Sequence, residues 1–429
     1  MYTKYKPLNS SLFIKNRRDF GLRLEENAIA IFNSNYIYPI SADSTFPFVQ
    51  HSDIYYLSGI DQENTILVLI SRKSFIEEYL FIKEADQNTL IWEGNKLNKK
   101  QAKNLSGITT IYELSTFNSF LKKELTSLKT VYLNKNEHNR YKSLVETNED
   151  RFSEKLKQNY PSKIYKSSFS ILQELRAIKK PEEIKAIKKA CKITEKGFRR
   201  VLSLVKPNLF EYEIEAQFIY EFLKHGSEGF AYQPIIAGGK NACILHYTYN
   251  NKKCKDGNLL LLDVAAKYAK YSSDLSRTIP VNGKFTKRQK AVYQAVLNVK
   301  KFAESILVAK NTFAEYNKAI GEFITKELVA LKLIDKVDLK NQTLENPAYK
   351  KYFMHGSSHF LGLDTHDYGD YTIPFKENMV FTIEPGIYIP KEKIGIRLED
   401  NYVVRTGKPT NLMKNIPIEI EEIEDLMNA

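Results

Sequence analysis

Four carboxylates are set into stretches that are otherwise too apolar to face water, and burying them together is the demand that most narrows what this chain can fold into. Asp263 ends the run Leu259-Leu260-Leu261-Leu262, and Asp274 follows in YSSDLSRTIPV. Glu384 lies in VFTIEPGIYIP and Glu399 in IGIRLEDNYVV. Each pair reads as two strands joined by a short turn. A symmetric hairpin turning near Tyr268-Ala269 sets Asp263 opposite Asp274, and one turning near Lys391-Glu392 sets Glu384 opposite Glu399. Directly opposed residues share a face, with Cβ atoms roughly 4.5–5.5 Å apart. Like charges that close are costly unless a cation lies between them, so the duplicated arrangement predicts a metal centre. A lone Asp at a strand end is more often a turn residue, and Glu399-Asp400 could pass for an exposed pair. Duplication within apolar flanks, where an unpaired carboxylate is expensive, argues against both.

Histidines gather around the same segments. Of the seven in the chain, His246 lies in ILHYTYN, and His355, His359 and His366 lie in MHGSSHFLGLDTHD. The residues alone leave open whether His355 or His359 is the fifth ligand. One imidazole with four acids suits Mn, Fe, Co or Zn better than Mg or Ca. The set fits a dinuclear hydrolytic site, in which two ions about 3.5–4 Å apart share an activated water.

The rest of the chain reads as two domains. Residues 20–165 alternate strand-like runs (AIAIFNS, TILVLIS, YLFIK, TVYLN) with helical stretches, an α/β pattern. The polar segment 152–168 ends in Ser-Ser and closes the first domain, giving 1–168 and 169–429. From Ser170 apolar residues recur at helical spacing, Pro181-Glu182-Glu183 starts a new helix, and another runs from Glu211 to His225. Residues 230–281 are strand-like, 286–332 helical and 350–405 strand-like again, which predicts an α+β class.

Composition excludes several partners. No apolar run approaches the roughly 18–20 residues that span a bilayer. The polar N-terminus carries no apolar leader, so a cytoplasmic location is expected. Cys191, Cys243 and Cys254 have no metal-binding spacing and read as reduced thiols. The net charge of +13 is spread over lysines interleaved with acids, as in RAIKKPEEIKAIKKA, without a recognised binding motif. Neither nucleic acid nor a membrane is an expected partner.

On these residues the chain resembles the Xaa-Pro aminopeptidases, or aminopeptidase P, among the pita-bread metallopeptidases. The resemblance is carried by LRAIKKPEEI, ILHYTYN, LLLLDVAAKY, SSDLSRTIPVNGKFT, HGSSHFLGLDTHD, TIEPGIYIP and IRLEDNYVV. FPFVQHSDIYYLSGI and IWEGNKL extend it into the first half and separate the chain from methionine aminopeptidases. It implies a pita-bread catalytic domain preceded by a smaller α/β domain that supports oligomerisation and narrows access to the site. It implies two divalent ions, Mn2+ first, with Co2+, Fe2+ or Zn2+ also suited. Asp263 would bind one ion, Asp274 and Glu399 would bridge both, and His359 rather than His355 would be the histidine ligand. Glu384 would bind the other ion and assist proton transfer. His246, His355 and His366 would line the substrate pocket, Tyr388 would sit beside it, and Arg397, two residues before Glu399, would hold the bridging carboxylates.

The implied reaction is hydrolysis of the first peptide bond when proline, a tertiary amide without an N–H, stands second. A homodimer or homotetramer is implied, with Trp92 near a neighbouring subunit's site. The chain departs from the family at Val49, Ala265, Lys267 and Ala269, the last standing where a turn glycine is common; none is a ligand. The nearest rival activity is an Xaa-Pro dipeptidase. A non-catalytic peptide-binding relative, or a metal-free creatinase-like one, would lack this full acidic set.

Overall fold

The computed structural model describes residues 4–73 and 75–429, and the chain divides into two compact units, Met1–Arg176 and Ala177–Ala429. The division falls at the end of the Phe169–Ala177 helix, and the Ser167-Ser168 step lies between that helix and the strand before it. No helix among the described residues is long and apolar enough to cross a membrane.

The first unit is built on a six-stranded mixed sheet. Its order is Thr110–Glu113, Ile76–Ile82, Thr65–Ser71, Ala28–Asn33, Thr130–Leu133, Ile164–Ser167. The AIAIFN strand is buried along its whole length, as a central strand covered on both faces must be. One face packs Ile29, Ile31, Phe81 and Val131 against Phe117, Leu121 and Leu156 of the Phe117–Glu124 and Asn148–Asn159 helices. At the end of that strand the Asn33 N–H and side-chain amide both donate to Glu149, at 2.7 and 2.9 Å. Burial pushes the Glu149 carboxyl up to about 8.

In the second unit Pro181 opens the Pro181–Leu202 helix with Glu182 and Glu183 in its first turn, where acids complement the helix dipole. Its buried stripe, including Ile187, Cys191, Thr194 and Phe198, packs on the Glu211–Lys224 helix and on the strand Ala266–Tyr268. The strand Leu259–Asp263 is central to a three-stranded sheet, antiparallel to Ile235–Gly238 and to Ser276–Pro280.

Here the first hairpin departs from expectation. Asp263 pairs with Ser276, not with Asp274. The turn sits one residue later, at Ala269 and Lys270, between Tyr268 and Tyr271. Both turn residues have positive φ (49° and 67°), the geometry of a type I′ turn. Glu228 secures it by accepting from the Lys270 N–H at 2.9 Å and from its ammonium at 2.6 Å. A turn displaced by one residue shifts the pairing by two, and a shift of two preserves the face. Asp274 therefore lies outside any strand but on the same side as Asp263.

The second hairpin keeps its expected register. Val380–Ile383 pairs with Asp400–Val403, ending at Ile383 opposite Asp400. Gly386–Ile389 resumes the same register against Ile394–Arg397, with Gly386 opposite Arg397. Glu384 and Glu399 fall opposite each other in the gap, and the chain reverses at Pro390–Glu392. The two hairpins meet edge to edge, where the Glu399 N–H donates to the Ser276 carbonyl at 2.9 Å.

An alanine at φ 49° occupies the left-handed region that costs an L-residue roughly 1–2 kcal/mol. Ala269→Gly should raise stability in chemical denaturation by about 0.5–1 kcal/mol, net of glycine's greater unfolded entropy. A loss of stability would contradict the turn assignment.

Candidate metal centre

The gap in each hairpin is where the carboxylates gather. Asp263 terminates its strand, Glu384 and Glu399 interrupt theirs, and Asp274 sits just before Ser276–Pro280. Asp274 is clamped from both sides by one amide: its N–H donates to Asn401 Oδ1 at 3.0 Å, and Asn401 Nδ2 donates to its carbonyl at 2.8 Å. His359 is laid alongside the Val380–Ile383 strand. Its N–H donates to Thr382 Oγ1 at 3.1 Å, and its carbonyl accepts from the Thr382 N–H at 3.0 Å. Its Nε2 lies 3.4 Å from Asp274 Oδ2 and 3.7 Å from Glu384 Oε1. Asp274, His359 and Glu399 are all buried, and one ligand atom of each lies within 4.8 Å of the others. The geometry thus separates the two histidines that the residues alone could not. His359 enters this group, whereas His355 stands off it, with Nδ1 3.7 Å from Glu384 Oε2.

One guanidinium serves this whole cluster. Arg397 donates to Asp263 Oδ2 at 2.6 Å, to Ser276 Oγ at 2.9 Å and to the Tyr388 hydroxyl at 2.9 Å. Ser276 in turn donates to Glu399 Oε2 at 2.8 Å. The expected grip of Arg397 on the two bridging carboxylates takes a different form. Its direct carboxylate partner is Asp263, and it reaches Glu399 through Ser276, because the register sets Ser276 and not an acid opposite Asp263. Tyr388 continues the chain of contacts to His355, whose Nε2 lies 2.8 Å from its hydroxyl. His366 is exposed, with its ring 4.5 Å from that of His359, and His246 is exposed with its charge felt at His355.

Ser276, Asn401 and the support beneath Glu399 were missed by sequence reasoning. Arg277, fully buried, donates to the Glu399 carbonyl at 2.7 Å and to Asp400 Oδ1 at 2.7 Å. Lys300 donates to Asp400 Oδ2 at 2.6 Å. Against burial, which would raise it, Arg277 and Lys300 hold the Asp400 carboxyl below the ordinary carboxylate range. So Glu399-Asp400 is a buried pair with two separate partners. The available signal was the polar run DNY inside an apolar strand, since a buried polar residue must find a partner.

Known proteins resemble this chain over most of its length. The profile of metallopeptidase family M24 matches residues 185–406. That of the aminopeptidase P N-terminal domain matches residues 13–132. The chain is 35% identical over 398 residues to the Xaa-Pro aminopeptidase of Haemophilus influenzae, covering 90% of each. It superposes on aminopeptidase P from Escherichia coli with the inhibitor Pro-Leu at a TM-score of 0.89 and 30% identity, covering 99% of both chains. Proline aminopeptidase P II from Yersinia pestis matches at a TM-score of 0.88 and 30% identity, over 98% of this chain and 100% of that one.

The atoms present here fit divalent ions. Four carboxylates against one guanidinium leave three negative charges, which two divalent ions sharing one hydroxide would balance. Asp263 Oδ1 and Glu399 Oε1 are buried with no hydrogen-bond partner among the described residues, a costly state unless a cation faces them. Burial pushes the Glu384 carboxyl up to about 7, and burial with neighbouring acids raises Asp263 and Glu399. In the ion-free protein these groups hold protons to higher pH when folded than when unfolded. Their contribution to stability is therefore lost as pH rises from the ordinary carboxylate range through about 7. His355 acts in the opposite sense. Burial lowers it to about 3, so its contribution is lost as pH falls below the ordinary histidine value. Against burial, Asp274 and Glu384 raise His359, so it acts with the three carboxylates, and together they outweigh His355 and set the net sign. Ion-stripped protein should melt several degrees lower at about pH 8 than at about pH 5.5, and added divalent ions should shrink the difference to the part that the raised Glu149 carboxyl contributes. A higher melting temperature at the upper pH without ions would contradict this account.

Proposed function

The chain belongs to metallopeptidase family M24, and from that premise we propose how its own residues release the N-terminal residue of a peptide whose second residue is proline. It is a hydrolase, a metallo-aminopeptidase with a pita-bread catalytic domain behind an aminopeptidase P N-terminal domain. Asp263, Asp274, His359, Glu384 and Glu399 would hold two divalent ions. When bound, the ions lower the pKa of a water and polarise the scissile carbonyl. The observation that carries this reading is the pair of buried, unpartnered oxygens on Asp263 and Glu399 in a cluster served by one arginine.

The remaining steps fall to protein groups. Glu384 takes a proton from the attacking water and delivers it to the proline nitrogen as the C–N bond breaks. A carboxylate beside the attacking water can accept its proton and then donate it to the leaving nitrogen. Arg397 fixes Asp263 directly and Glu399 through Ser276. Burial keeps His355 neutral, and with Tyr388 it borders the substrate beyond Glu384. The exposed His246 and His366 line the mouth and stabilise the charge that develops on the carbonyl oxygen.

Mn2+ is the proposed resident ion, with Co2+, Fe2+ and Zn2+ compatible with the same ligands. Residues 1–168 are proposed as the assembly domain of a cytoplasmic homodimer or homotetramer.

Turnover of Arg-Pro-Pro by ion-stripped protein should appear on adding Mn2+, releasing arginine, and Glu384→Ala should lower kcat by about 10²–10⁴-fold. Activity confined to an Xaa-Pro dipeptide would replace the aminopeptidase reading with a dipeptidase, and no activity with any divalent ion would overturn it. Light scattering should report twice or four times the 49.7 kDa chain mass; a single-chain mass would refute the assembly.

A further inference from the structure

The first unit holds a cavity that the hydrolytic chemistry does not use. About 620 Å3 lies between the Phe117–Glu124 and Asn148–Asn159 helices, above the sheet. This is within the roughly 300–1,000 Å3 of small-ligand sites. The second helix presents one stripe to it, Asn148, Arg151, Phe152, Lys155, Leu156 and Asn159, at three- and four-residue spacing. The walls of Ile66, Leu114, Phe152 and Tyr160 are only partly buried against the core beneath, so an apolar surface stands uncovered.

The charge of this cavity is one-sided. Lys122, Arg151 and Lys155 line it and no acid does. The acids of the same helix are committed elsewhere. Glu149 is turned under the strand to receive both Asn33 donors, Asp150 caps the helix by accepting from Thr147 at 2.9 and 2.7 Å, and Glu154 pairs with Lys157 at 3.3 Å. Lys122 and Lys155 pair with no group among the described residues, and neither do the side-chain amides of Asn64, Asn118 and Asn159 on the same lining. Arg151 lies 5.1 Å over the Tyr36 ring. The Glu149–Asn33 bonds, with Asn148 donating to the Ser34 carbonyl at 2.8 Å, pin the helix start to the end of the strand. The opening is thus held by buried contacts rather than left to surface side chains.

We propose that this cavity binds a small aromatic anion carrying two negative charges, with a nucleoside monophosphate as its representative. The ring lies against Phe152 and Tyr160, stacking that tolerates many ring systems. The phosphate takes the lysine and arginine charges, and the free amides meet polar atoms on the ring edge. Two unpaired lysines, with Arg151 held between the Glu146 carbonyl (3.2 Å) and the Tyr36 ring and without a carboxylate partner, favour a dianion over a monoanion or a neutral compound.

The test is calorimetric titration of the full metal-loaded chain with AMP and with neutral adenosine, repeated on the double variant Lys122→Glu, Lys155→Glu. Both lysines are exposed, so the fold should persist, and unchanged turnover of Arg-Pro-Pro would verify it. AMP should saturate one site per chain, adenosine should bind at least about tenfold more weakly, and the double reversal should weaken AMP by about tenfold or more. Absence of saturable AMP binding would overturn the proposal, as would equal binding of AMP and adenosine. AMP binding indifferent to the double reversal would place the anion elsewhere, for example on the catalytic ions, and would also overturn it. A double variant that changes the assembled mass without affecting AMP would show that another copy of the chain covers the cavity, and the proposal would fall in that case too.

Discussion

A buried excess of negative charge organises the catalytic unit. Asp263, Asp274, Glu384 and Glu399 share one guanidinium, and single charges left in a low-dielectric interior are among the most expensive features a fold can carry. Arg397 meets part of that demand by touching one hairpin through Asp263 and Ser276 and its own hairpin through Tyr388. What it leaves over points to the proposed function, since the two oxygens without a partner among the described residues suit divalent cations. In that proposal the same excess serves stability and chemistry: the acids that would repel in the ion-free protein are those that would hold the ions.

Directly behind the site the same problem is solved without metal. Asp400, next in sequence to Glu399, is as buried as its neighbour but has Arg277 on one oxygen and Lys300 on the other. Arg277 also grips the Glu399 carbonyl, so a fully paired network positions the backbone of a residue in the acidic cluster. Asn401 does likewise for Asp274 through its peptide N–H and carbonyl. Three consecutive residues therefore divide the work: Glu399, in the gap before the strand, faces the cluster, Asp400 anchors the strand start, and Asn401 clamps the opposite hairpin. This division follows from the alternation of side chains across a strand.

The first unit follows another logic. Its central strand is buried along its whole length and its helices close over the sheet, except where Phe117–Glu124 and Asn148–Asn159 stay apart. The buried Glu149 that accepts from the central strand end is turned away from that opening, whose lining carries Lys122, Arg151 and Lys155 and no acid among the described residues.

Much of this was legible in the chain, and the failures share a cause. Apolar runs interrupted by acids, the Pro-Glu-Glu helix start and the second hairpin register follow from local rules, because periodicity and turn chemistry act over a few residues. The first hairpin did not, because two residues held at positive φ by Glu228, a residue distant in sequence, moved its turn by one position. The choice of His359 over His355 by geometry, the reach of Arg397 to Asp263, and the Ser276 and Asn401 clamps are contacts between segments separated by up to 134 positions. The sequence by itself determined that four acids and a histidine must be buried near one another, since burial and charge are properties of residue types in their local pattern. Which atoms meet, and through which intermediates, was decided only by tertiary structure, because strand register and the edge-to-edge meeting of two hairpins are set by long-range packing.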